Sequence, residues 1–200
     1  MDLEIVVAII GAFAIVAAAY ITSRKREVET ELIATKVELR FKHAALSFQM
    51  EAIDWDHLHT ELRLLFTNSS IDSFIVFCAW NGFNDPLWTT AIFQFRKGEN
   101  IALIHVETDA DYVQMLKDIK NTGVVILKTE DLPENMLRSH YTYERVKVAT
   151  IHYFDSRKLE GTSSVAVRYC SYRSTITDDL DVATLAHCKR ITDFIKGAIA

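Results

Sequence analysis

Between Asp72 and Trp80 the chain reads DSFIVFCAW, with no polar residue after Ser73 apart from the thiol of Cys78. Drawn as a strand, it turns Phe74, Val76, Cys78 and Trp80 to one side and Ile75, Phe77 and Ala79 to the other. A strand that is apolar on both faces must be central in its sheet and covered on both sides. Whatever this chain folds into must therefore bury a sheet between other elements.

The flanking sequence supplies those elements. TTAIFQFRKG, from Thr89, alternates: Ala91, Phe93 and Phe95 face one way, and Thr90, Gln94 and Arg96 the other, with Ile92 among them. This is a half-exposed strand able to pair antiparallel with the first. NIALIHVE reads as a third strand after a Lys97-Gly98 turn. In TDADYVQMLKDIKNTG, Tyr112, Met115, Leu116 and Ile119 form the apolar face of a helix, Thr108 and Asp111 have capping-box spacing, and Gly123 stops it. VVILK is a further strand and LPENMLRS a short connecting turn of helix. RVKVATIHYF and SSVAVRYCSY are two late strands joined by a polar loop with Gly161. A closing helix carries a stripe of Leu185, Cys188, Ile191, Ile195 and Ile199, with Asp178 and Asp179 at its positive end. The fold class is α+β: a mixed, mostly antiparallel sheet flanked by helices.

The front of the chain is different. From Ile5 to Ile21 it reads IVVAIIGAFAIVAAAYI, which as a helix spans about 26 Å, near the lower limit for crossing the hydrocarbon core. Arg24, Lys25 and Arg26 follow, and Asp2 and Glu4 precede. The positive-inside rule puts the amino terminus outside and the rest in the cytoplasm, as a single-pass protein of an inner or plasma membrane. The competing reading is a secretory signal peptide with Ala17-Ala18-Ala19 near its cleavage site, but its leading region is acidic where a basic one is expected.

Between Gly11 and Gly82 there is no Gly or Pro, so one or two long helices should lead from the membrane. Leu32, Leu39, Leu46 and Ile53 recur every seven residues, while Val28, Thr35, Lys42 and Gln49 are mostly polar. Half a heptad seam fits a weak parallel homodimer, or else a single helix whose stripe lies on its own domain. The expected division is an anchor over 1–23, a helical and possibly coiled-coil linker over 24–54, and a globular domain over 55–200.

SFIVFCAWNG after the leading helix, and the late hairpin VATIHYFDSRKLEGTSSVAVRYCSY before the final helix, resemble a GAF domain. Many such domains have a first strand ending in an aromatic or His followed by Asn-Gly, where this chain has Trp80-Asn81-Gly82. The resemblance implies a PAS/GAF-type sensory fold. It does not carry over a known ligand. The Asn-Lys-x-x-Phe-x-x-x-Asp/Glu pattern of cyclic-nucleotide-binding members is absent, and no Cys precedes a His as in bilin-holding members. The cofactor stays unknown.

Chemistry is sparsely signalled. A net charge of -5 without a Lys/Arg block argues against nucleic acid. Cys78, Cys170 and Cys188 are too far apart and too few for a zinc knuckle or disulfide framework, and read as buried thiols. His105 beside Glu107, and His152 near Asp155, lack a third group to orient a base. The better candidate is a ligand mouth at the rim of the sheet. The resemblance implies that Trp80, Phe83, Trp88 and Phe93 form its wall and Asn81, Thr89 and Thr90 its polar anchors. Tyr112, Tyr141 and Tyr143 would then close it. The competing reading is that these aromatics fill the core. Together these features lead to an expected membrane-anchored, cytoplasmic small-ligand-binding or sensory module for signal transduction, not an enzyme. The alternative is a structural or interaction protein with a degenerate GAF-like domain that holds a partner at the membrane.

Overall fold

The computed structural model describes residues 52–80, 88–97, 105–107, 109–158 and 165–199. The anchor at 5–21 and the seam residues Leu32, Leu39 and Leu46 lie outside them. No helix among the described residues is long and apolar enough to cross a membrane.

The helix that enters the globular domain starts after Asp54. The Asp54 carboxylate accepts from the His57 N–H at 3.0 Å and caps helix α1, Trp55–Asn68. A short acidic side chain at this point satisfies a backbone donor that a through-going helix would have used itself. Ile53, the fourth expected seam residue, is buried at 5% exposure in the core of its own domain, so it is not open to a second copy.

Strand β1, Ser73–Trp80, follows α1, then β2, Trp88–Arg96, and β3, His105–Glu107. Helix α2, Ala110–Thr122, leads to β4, Val124–Lys128; a 3-10 turn and helix α3, Met136–Tyr143, lead to the long pair β5, Val148–Lys158, and β6, Val165–Ser174. Helix α4, Val182–Ile199, closes the chain. The sheet order is β3-β2-β1-β6-β5-β4, and every neighbouring pair is antiparallel. The expected mixed sheet is thus corrected. The α2 connection runs between strands at opposite edges of the sheet, so it makes no parallel crossover between neighbours.

β1 sits in the middle, as its two apolar faces require. On one face α1 and α4 cover Phe74, Val76, Cys170 and Tyr172 with Leu62, Leu65, Ile191 and Ile195. On the other, α2 and α3 cover Ile75, Phe77, Val167 and Tyr169 with Met115, Leu116, Ile119 and Leu137. Each such aliphatic side chain contributes about 1.5–3 kcal/mol on burial, so both layers are needed to offset chain entropy.

One cap differs from that expected. Asp109, and not Thr108, caps α2, accepting from the Tyr112 N–H at 2.9 Å. Asp181 caps α4, accepting from the Thr184 N–H at 2.6 Å, because it stands immediately before the first helical residue. α2 ends as expected at Gly123, whose φ of +80° lies in the left-handed region and whose N–H donates to Ile119 O at 2.8 Å. A Cβ there would meet nothing within 4 Å. Gly123→Ala should therefore lower stability through backbone strain alone, by about 1–2 kcal/mol in urea unfolding. An unchanged midpoint would show that the turn relaxes.

Candidate functional site

Two irregularities in the sheet decide which side chains meet. The β1–β2 register slips between Val76 and Phe77, so that Phe77 pairs with Ala91 and Val76 with Phe93. Ala91 thereby joins the α2/α3 side, whereas Phe93 and Phe95 pack on the α1/α4 side. The expectation that these three residues share a face is corrected by this bulge. The Phe93 ring centroid lies 4.9 Å from that of Trp55, tilted, and 6.1 Å from that of Phe74, edge-on. It is therefore on the opposite face of the sheet from Tyr112 and Tyr141 and cannot share a pocket wall with them.

The other expected mouth residues scatter as follows. Trp80 and Trp88 are cross-strand partners at the end of the β1–β2 pairing, and Thr90 pairs with Cys78. Asn81 and Phe83 lie outside the described residues. Tyr143 is 87% exposed at the end of α3 and closes nothing. Tyr112, on α2, and Tyr141, on α3, do converge, both buried against the sheet.

What surrounds them is a polar cluster set into an apolar layer. The Tyr112 and Tyr169 hydroxyls hydrogen-bond each other, and the Tyr169 ring stacks on Phe77 with centroids 5.2 Å apart. Arg173, from β6, is 3% exposed. Its guanidinium pairs with the Glu144 carboxylate and lies 5.1 Å from the Tyr141 ring and 5.4 Å from that of Phe77. Its Nε donates to Ser171 Oγ at 3.3 Å. Burial pushes the Tyr112 phenol up to about 12, with hydrogen bonds from Thr89 and Tyr169 opposing it. Burial likewise raises Tyr141, against the pull of Arg173. These phenols stay neutral and act as hydrogen-bonding groups. His140 Nε2 lies 3.6 Å from the Glu144 carboxylate, beyond hydrogen-bond reach. Burial and the Arg173 charge hold its pKa below the ordinary histidine range despite Glu144. The free space among these groups is about 10 Å³, roughly one water's worth. The cluster fills its own cavity.

Sequence reasoning missed Arg173, Glu144 and Ser171. The available signal was an arginine inside SSVAVRYCSYR, a strand buried along nearly its whole length, where a charge must find a partner.

A second, larger recess lies on the other face of the sheet. It is a groove of about 520 Å³ between α4 and the β4–β5 edge, within the range of small-molecule sites. Thr150 and His152 form its floor beside Val124 and Ile126; Val182, Leu185, Lys189 and Lys196 line its α4 side. His152 Nε2 is 3.1 Å from Thr150 Oγ1. Burial depresses its pKa to about 4, helped by the Lys196 charge, so the imidazole is neutral at physiological pH. Its expected acidic neighbour is taken elsewhere. The bulge between Tyr153 and Asp155 sets Asp155 opposite Arg168, and its carboxylate holds Arg168 and Arg157. Burial raises the Asp155 pKa, but hydrogen bonds and charge from Arg168, then Arg157, carry it below the usual carboxylate range. Arg157 Nη2 also donates to Ile199 O at 2.7 Å and ties the end of α4 to the sheet.

Nucleophiles are poorly served. Cys78 and Cys170 are buried, and desolvation raises both thiols to about 12; Cys188 is raised for the same reason. No group of three His, Cys, Asp or Glu side chains among the described residues is placed to hold a metal ion.

Comparison with known proteins bears on this architecture. No family model matches the chain, and no curated protein matches it in sequence. Solved structures do match in shape. The GAF domain of a two-component sensor histidine kinase from Bacillus halodurans is similar with a TM-score of 0.51 at 12% identity, over 74% of this chain and 94% of that one. A far-red cyanobacteriochrome photoreceptor is similar with a TM-score of 0.51 at 11% identity, over 86% and 96%. The fold is that of GAF domains. In this GAF fold the tyrosine–arginine cluster and the groove lie on opposite faces of one antiparallel sheet.

Proposed function

We propose that the chain is a sensory or ligand-binding GAF module without catalytic activity, held at a membrane by residues 5–21 with its globular domain in the cytoplasm. The observation that carries the binding reading is the groove along α4: about 520 Å³, with apolar side chains from β4 and the start of α4 set among polar and charged ones. The solved neighbours, a sensor kinase's GAF domain and a photoreceptor, support the sensory setting. Deeply buried thiols, and a His152 separated from its expected carboxylate, support an absence of catalysis.

A second reading is favoured by one observation, the 10 Å³ left beneath Tyr112 and Tyr141. A domain whose inner cavity is filled by its own side chains fits a structural or interaction protein that holds a partner at the membrane.

The full-length chain should resist alkaline carbonate extraction from membranes. Purified in lipid nanodiscs, it should gain thermal stability from at least one compound in a metabolite and nucleotide screen, because a ligand that binds only the folded state stabilises it by mass action. Extraction by carbonate would remove the anchor. A screen in which nothing shifts the transition would leave the interaction reading standing in place of the binding one.

A further inference from the structure

We propose that the groove between α4 and the β4–β5 edge takes a single-chain amphipathic carboxylate, its tail along the first turns of α4 and its head beside Lys196. This rests on the binding-module reading and names the class of ligand.

The register fixes what faces α4. Val124 pairs with His152 and Ile126 with Thr150, so apolar and polar floor residues alternate across the two strands. α4 starts shortly after the end of β6 and ends where Arg157, near the far end of β5, holds the Ile199 carbonyl. Along that path the groove-lining residues are sorted. Val182, Leu185 and Ala186 come first, and Lys189, Asp193 and Lys196 follow. One end of the groove is therefore apolar and the other charged.

The apolar end is open to water: Val182 is 84% exposed, Ile126 47% and Val124 41%. Neighbouring side chains of this kind leave an uncovered apolar strip that an alkyl chain would cover. From Val182 to Lys196 the helix rises about 21 Å, which suits an elongated ligand better than a compact one. At the charged end, the Lys189 ammonium is 2.5 Å from the Asp193 carboxylate and is neutralised by it. Lys196 makes no ion pair among the described residues. Two ammonium groups and one carboxylate leave one positive charge, which matches a monoanion and not a phosphate dianion. The neutral His152, already engaged with Thr150, adds a polar contact without adding charge.

The test uses the full-length chain in phosphatidylcholine nanodiscs, titrated calorimetrically with decanoate, decanol and butyrate, with empty nanodiscs subtracted. Phospholipid is present in excess throughout, so binding by a free carboxylate is distinguished from occupation by a membrane acyl chain. Decanoate should bind saturably, one per chain, and decanol and butyrate about tenfold more weakly or less. Lys196→Gln should weaken decanoate about tenfold and leave decanol unchanged. Ala186→Trp, on an exposed helical position, should block both, and the milder Ile126→Gln should weaken both together. Equal binding of decanol and decanoate, or insensitivity to Lys196→Gln, overturns the carboxylate assignment. Binding that survives both Ala186→Trp and Ile126→Gln, in variants that melt like the parent, overturns the groove. If decanoate is silent while another compound binds and is blocked by Ala186→Trp, the ligand class falls and the binding module stands. If every compound is silent, the ligand class falls, and the binding module falls with it only where the metabolite and nucleotide screen is silent too.

Discussion

Glu144→Ala should destabilise the folded domain by about 3–5 kcal/mol, the range seen when one partner of a buried ion pair is removed. Arg173 is 3% exposed and Glu144 supplies its carboxylate; without it the guanidinium keeps only Ser171 Oγ and the faces of Phe77 and Tyr141. Those contacts are too weak to replace a charge partner in a space that holds about one water. Domains of this size are stable by only about 5–15 kcal/mol, so the variant should lose a large share of its margin. The pair also fixes geometry, because Glu144 is the residue on which α3 ends and Arg173 belongs to the sheet. Replacing both partners by apolar or neutral groups, as in Arg173→Met with Glu144→Gln, should restore most of the loss, since the desolvation of both ions is relieved together. The measurement is a double-mutant cycle by urea unfolding. A single Glu144→Ala variant within about 1 kcal/mol of the parent would mean that water reaches the guanidinium.

Much of this arrangement was readable from residue order. The two-faced apolar strand Phe74–Ala79 demanded a central position with cover on both sides, and β1 has it. Of the closing helix's stripe, Cys188, Ile191, Ile195 and Ile199 are buried in the core they were expected to fill, and Leu185 packs against it partly buried. What pattern could not supply was the pair of sheet irregularities. Strict alternation puts Ala91 with Phe93, and a one-residue slip separates them, because a period of two has no tolerance for an extra residue. The same kind of slip at Phe154 sets Asp155 opposite Arg168, and its carboxylate is held by Arg168 and Arg157 and not by His152. For this reason Phe93 parts from Tyr112 and Tyr141: the three were grouped by nearness in sequence, and the sheet divides them between two faces. The groove was less legible still. It is formed by an edge strand and a helix far apart in sequence, and its lysines looked like ordinary solvated residues of an amphipathic helix.

The other large effect should appear in acid, at His152. Burial drives its folded pKa down to about 4, with the Lys196 and Lys189 charges adding to the shift and Asp193 opposing it. In the unfolded chain it should titrate near its ordinary value of about 6.5. Above that pH neither state binds the proton, and the domain has its full stability. As pH falls from about 6.5 towards 4 the unfolded state takes up a proton that the folded state refuses, so stability declines, by about 3 kcal/mol over the interval. Below about 4 both states are protonated and this contribution is flat. The Asp155 carboxylate, whose folded pKa lies below the usual carboxylate range, acts later: its contribution is present above that range and is lost as pH falls further. The two windows can therefore be told apart. Urea unfolding from pH 7.5 down to about 3 should show the decline in the parent, and His152→Gln should remove most of it while leaving the Asp155 window in place. His140 is depressed in the same direction by burial and Arg173, so a residual slope should survive His152→Gln and disappear only with His140 replaced as well. A parent profile that is level between pH 6.5 and about 4 would show that water protonates His152 in the folded state. The groove would then be wet down to its floor, and an apolar tail would have no dry surface to cover.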